Sequence, residues 1–213
     1  MKPLPLTIFA SLTILLSVTF ASCHKDEDKK NTASAELVPN SPGYYWKYSI
    51  KSAAAENNGF LEVRIIKKAT LTDGRPVTTW VYSYPQFTDT IYKVSNATSL
   101  EEYLVYPDKP GDSYPVMRYV FPLETGMKWA VNLTLATDSV KVVNDTTIGV
   151  AAGSFAHSIQ LDIVGSHNIG NYWNNSQYWF TSNIGIVRLE YNVFNLGPDK
   201  RNGIYELVEY RLK

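Results

Sequence analysis

Few side chains in this sequence have the chemistry for covalent, acid–base or metal work. There is one cysteine, Cys23, and there are three histidines, His24, His157 and His167. A zinc centre needs three or four closely set ligands, and histidines this scattered, with no spacing signature, predict none. No Ser sits in a Gly-x-Ser-x-Gly elbow, and no GxGxxG or Walker A loop offers a cradle for phosphates. Two acids about 5 to 10 Å apart across a cleft would support glycoside hydrolysis. Glu101, Glu102, Asp138, Asp145 and Asp162 are available, but they read as surface acids of strand ends and turns. His157 shares the apolar parity of Phe155, Ile159, Leu161 and Ile163, where a histidine satisfied by one hydrogen bond is the common case. The expectation is a protein with no catalytic residues, no metal and no cofactor.

Aromatic surface, by contrast, is abundant, with five Trp (46, 80, 129, 173 and 179) and fifteen Tyr. Trp and Tyr are good strand formers, so packing alone accounts for many of them. A second reading is a binding surface, in which rigid rings stack on sugars or line an apolar pocket. Asn171-Tyr172-Trp173-Asn174-Asn175-Ser176 is the best local candidate, with Tyr172 and Trp173 as ligand-binding residues in an Asn-rich loop. An ordinary hairpin tip is the alternative there.

Cys23 ends a stretch with the form of an export signal. Lys2 supplies a positive start, Leu4 to Phe20 carries no charge, and Phe20-Ala21-Ser22 puts small residues just before the cysteine. This resembles bacterial lipoprotein signal peptides, with Phe20 where that family usually has Leu. The resemblance implies diacylglycerol on the Cys23 thiol, cleavage after Ser22, and an acyl chain such as palmitate on the freed amine. An ordinary secretory signal would leave a lone thiol to explain, and a membrane-spanning anchor would sit at the lower limit of length. Lys25-Asp26-Glu27 resembles the signal that sends lipoproteins of Bacteroidota to the outer face of the outer membrane; the alternative is a solvated spacer. The partner implied by the anchor is the membrane itself.

Residues 1–22 are thus read as signal peptide, 23–41 as lipidated cysteine and disordered tether, and 42–213 as one folded domain. Without residues 1–22, whose one charge is Lys2, 19 basic residues face 20 acidic ones. No basic patch dominates, so nucleic acid is not an expected partner.

Period-two alternation fills the domain. Trp129, Val131, Leu133 and Leu135 share one parity, and Phe155 to Ile163 repeat the pattern. Further strands are expected at 44–50, 60–67, 77–84, 90–95, 103–106, 116–121, 139–143, 177–181, 186–191 and 204–212. Asn57-Asn58-Gly59, Thr72-Asp73-Gly74, Pro107 to Asp112, Ala151-Ala152-Gly153 and Asn202-Gly203 punctuate them as turns. One short helix is hinted at by the Ser/Thr-x-x-Glu spacing of Thr98 to Glu102. The fold class is all-β: a single antiparallel, strongly curled sheet, a half-barrel or a barrel, with at most a short helix.

Phe121-Pro122-Leu123-Glu124-Thr125-Gly126-Met127-Lys128-Trp129 resembles a "Pro-Leu-x-x-Gly-x-x-Trp" segment of secreted Bacteroidota lipoproteins. Pro42 to Tyr48, Thr147 to Phe155 and Tyr178 to Glu190 are similar to other parts of the same proteins. These look like relatives of open β-barrel lipoprotein carriers, in which a curved sheet wraps an apolar cavity. The resemblance implies an outer-membrane lipoprotein that binds a hydrophobic ligand or a glycan. The alternative is a structural or protein-interaction component of the envelope.

Overall fold

The structure is a computed structural model, and it describes residues 38–106, 109–132, 137–167, 171–194 and 197–212. Cys23, Lys25, Asp26 and Glu27 lie outside these residues. Thirteen strands follow one another: β1 Tyr45–Lys51, β2 Gly59–Thr70, β3 Pro76–Ser83, β4 Thr88–Ser95, β5 Ser99–Tyr106, β6 Lys109–Val120, β7 Lys128–Asn132, β8 Thr137–Val150, β9 Gly153–His167, β10 Tyr172–Thr181, β11 Gly185–Tyr191, β12 Val193–Phe194 and β13 Gly203–Arg211. Among the described residues one 3-10 turn, Ala55–Asn57, is the sole helical element. None of them forms a helix long and apolar enough to cross a membrane.

All strand pairs are antiparallel, in the order β6-β5-β4-β3-β2-β1-β13-β11-β10-β9-β8-β7, with β12 beside β10. The last strand therefore sits between β1 and β11 and joins the first half of the chain to the second. The sheet curls into a nearly closed barrel. At the seam between its edges, the Trp129 indole N–H donates to the Arg118 carbonyl at 2.7 Å. Alternation sends one row of each strand inward. Val142, Leu161, Tyr178, Leu189, Tyr205 and Ile50 face one another in register across six neighbouring strands, and all but Leu189 are buried.

Three local expectations are corrected. Thr98 to Glu102 is not helical, because Asn96 Oδ1 accepts from the backbone N–H groups of Thr98 and Ser99, both at 2.9 Å. That side-chain turn satisfies the donors a helix start would leave open, and β5 follows at once. His157 leaves the apolar face, since Ala156 and His157 together stand opposite the single residue Thr147 in a β-bulge, with His157 at φ 55°. Its ring lies outside, 3.1 Å from Asp145 Oδ2. Finally, the folded part begins before residue 42: Val38 belongs to the apolar core.

Candidate functional site

Tyr172 and Trp173 stand in β10 rather than in a loop, and alternation sends them to opposite faces of the sheet. On the inner side, the Tyr172 hydroxyl bonds Asp138 at 2.9 Å, and the Asn174 amide donates to the same carboxylate at 2.8 Å. Ser176 donates to Asn174 at 2.6 Å and accepts from the Asn192 N–H at 3.0 Å. Asp138 is only 2% exposed, and burial raises its carboxyl pKa against the opposing pull of the Asn174 and Tyr172 bonds. Burial also raises the Tyr172 hydroxyl, with the nearby Asp138 adding to it. Tyr172 is thus committed to holding β8, β9 and β10 together. Gly165 is part of this arrangement: a Cβ there would lie 1.8 Å from Asp138 Oδ1.

Trp173 faces outward and is 39% exposed. Its register partner is Phe194 of β12, and the two rings lie parallel within 2° with centroids 6.2 Å apart. Beside them the outer face opens into a groove of about 590 Å³, lined by Asn175, Gln177, Glu190, Asn192, Asn202 and Lys51 among others.

The barrel interior holds a second candidate site. Trp46 and Trp80 stack at 5.1 Å, and Lys93 Nζ sits 3.9 Å above the Trp80 ring. Lys93 is 4% exposed and pairs with Glu102 at 2.6 Å, its direct neighbour on β5. A buried pair of this kind is held by complementary charge against the cost of dehydrating both groups. Around it lies a cavity of about 60 Å³ lined chiefly by Tyr48, Leu61, Tyr82, Tyr119, Phe180 and Tyr205. The hydroxyls of Tyr82 and Tyr119 make no hydrogen bond among the described residues, although Tyr119 is 1% exposed. Burial, with Glu102 adding to it, pushes both hydroxyls far above the usual phenol range.

One wall of this cavity is the segment leading to β1. Val38 and Pro39 line it, and Asn40 Oδ1 accepts from the Trp80 indole N–H at 3.1 Å and from the Thr78 hydroxyl. Sequence reasoning placed these residues in the tether. It also passed over Lys93 and read Glu102 as a surface acid, although the signal for a buried pair was present. Lys93 has the parity of Ile91, and Glu102 has the parity of Leu100 and Leu104, so a cation and an anion fall on the inward faces of neighbouring strands.

Among the described residues no three His, Cys, Asp or Glu side chains gather as a metal site. No protein-family model and no curated protein matches the chain. Among solved structures it is similar to a protein of Bacteroides fragilis NCTC 9343 described as exported and of YMCC-like fold. That likeness has a TM-score of 0.46 and 14% identity over 82% of this chain and 98% of that one. It is also similar to a chain from Parabacteroides distasonis ATCC 8503 described as a lipoprotein, with a TM-score of 0.41 and 14% identity over 81% and 97% of the two chains.

Proposed function

We propose that this chain is a non-catalytic outer-membrane lipoprotein, anchored through Cys23, whose barrel interior binds a hydrophobic ligand with one polar end. The observation that carries this reading is the internal cavity, where apolar walls surround the Lys93–Glu102 pair and two phenol hydroxyls that make no hydrogen bond among the described residues. Small-molecule sites have this make-up: mostly apolar and aromatic lining with a few convergent polar groups. At about 60 Å³ the cavity admits only a small group as it stands. A longer chain enters by displacing Val38 and Pro39, which are held in place through Asn40. Cys23 lies fifteen residues before Val38, so the displaced wall is the end of the tether that leads to the anchor.

The test uses residues 34–213, which retain every buried core residue described. Palmitate or an apolar fluorophore is titrated while the melting temperature is followed. Ligand at a hundred times its Kd should stabilise the fold by about 2.7 kcal/mol. Lys93→Met should weaken palmitate more than an uncharged analogue. The small cavity volume is the observation on the side of the other reading, a structural or protein-interaction component, and absence of any ligand-dependent stabilisation would leave that one as the better account. Anchoring is tested by palmitate labelling of Cys23→Ser, which should carry no label. Replacing Lys25, Asp26 and Glu27 with Ala should protect the protein from protease applied to intact cells, if the run directs it to the outer face.

A further inference from the structure

We propose that the outer face of β10 is a second binding site, for a neutral glycan, independent of the barrel interior. Trp173 and Phe194 are the platform, and the adjoining groove receives the sugar hydroxyls.

Register places the platform and the groove side by side. Trp173 pairs with Phe194 across β10 and β12, and the intervening Asn174 is buried, so both rings belong to the outer face. Asn175 and Gln177 continue the same parity along β10 into the groove, about 7 Å per step. Phe194 is not on a loose end. The Val193 N–H donates to Asn202 Oδ1 and the Asn202 amide donates to the Val193 carbonyl, each at 2.8 Å, which pins β12 beside β10.

The chemistry is that of sugar recognition. Four large apolar side chains are exposed among the described residues: Phe60, Ile66, Val164 and Trp173. Two of the four adjoin here, because Val164 pairs with Asn175 and lies diagonally next to Trp173. The part of the Trp173 ring that Phe194 leaves open is flat and electron-rich, which attracts the slightly positive C–H face of a pyranose. Beside it, the side-chain amides of Asn175 and Asn192 make no hydrogen bond among the described residues. An amide offers two donors and an acceptor, the complement of neighbouring hydroxyls. A wholly apolar occupant would leave these groups unmatched. The charges do not point to an anion either: Glu190 is engaged by Arg188 at 2.6 Å, and Lys51 is the one cation among the groove residues.

The test is affinity electrophoresis of the purified full-length protein in detergent through gels containing xyloglucan, β-glucan, mannan or arabinoxylan. At least one should retard the wild type. Trp173→Ala should weaken that retardation at least about tenfold in Kd, with Phe194→Ala smaller in effect. Ile66→Ala, an exposed change on β2 outside both sites, should run as wild type, and palmitate should stabilise Trp173→Ala as much as wild type, so that failure here and failure of the interior reading are separable. A wild type unaffected by all four polysaccharides would overturn the proposal, as would Trp173→Ala retarded like wild type. Should Trp173→Ala fold poorly, Asn175→Ala with Asn192→Ala replaces it; the same loss is expected, and full retention sinks the site.

Discussion

Trp80 and Trp173 are the same residue type in the same sheet, yet one is buried and engaged on ring and N–H while the other is exposed over much of its surface. Trp80 stacks on Trp46, carries Lys93 over its ring and donates its N–H to Asn40. Trp173 has one parallel neighbour, Phe194, and water over much of the rest. Tyr172 and Trp173 repeat the contrast within two adjacent positions, the first locked onto Asp138 and the second open. An abundance of aromatic residues therefore carries two meanings, and the face of the strand decides which applies. Inner rings form a closed frame, whereas outer rings are presented to solvent.

If the interior is as dry as its burial indicates, Lys93→Ala should be the most damaging change. It leaves Glu102 buried without its cation, at a cost of about 3–5 kcal/mol in denaturant unfolding. A cost below about 1 kcal/mol, typical of exposed pairs, would mean that water reaches Glu102 and the contrast between the regions is false. Gly165→Ala comes next. The added methyl meets the Asp138 carboxylate, which two hydrogen bonds hold in place, so a loss of roughly 1–3 kcal/mol is expected in the same assay.

Asp138 sharpens the comparison through pH. Its pKa is raised in the fold, so the folded state favours the protonated acid. The stability this contributes is fully present below the unfolded carboxylate range and is lost as pH rises through the folded value. Asp138→Asn should therefore gain on wild type as pH is raised from about 4 towards 7. Denaturant midpoints for both proteins across that range would show it, and parallel curves would contradict the assigned burial. The smallest effect belongs outside. Trp173→Ala should change stability by about 1 kcal/mol or less, since the exposed ring stacks on one half-buried neighbour. A larger loss would make Trp173 a structural residue like its inner counterparts.

Much of this was legible along the chain. Alternation of apolar and polar residues marked nearly every strand, and Asn, Asp and Gly clusters marked the turns between them, because both are local consequences of side-chain direction and backbone freedom. The curled all-β sheet and its aromatic core follow from the same pattern. The capping-box spacing at Thr98 misled, because Asn96 competes for the same N–H groups from outside that window. Parity at Lys93 and Glu102 was readable, and only the assumption that charges face water concealed it.

What the sequence by itself determined is thus the material of the barrel: strands, turns and an inward apolar row. The tertiary structure alone decided where β13 inserts, where the bulge turns His157 outward, that Val38 to Asn40 complete a wall of the cavity, and which tryptophan stays open to solvent. The physical reason is range. Alternation is written within a few residues, whereas register, closure and burial depend on strands that meet across more than a hundred positions, as Tyr48 does in bonding the Ile186 carbonyl 138 residues away. No local pattern encodes which distant row a given ring will meet.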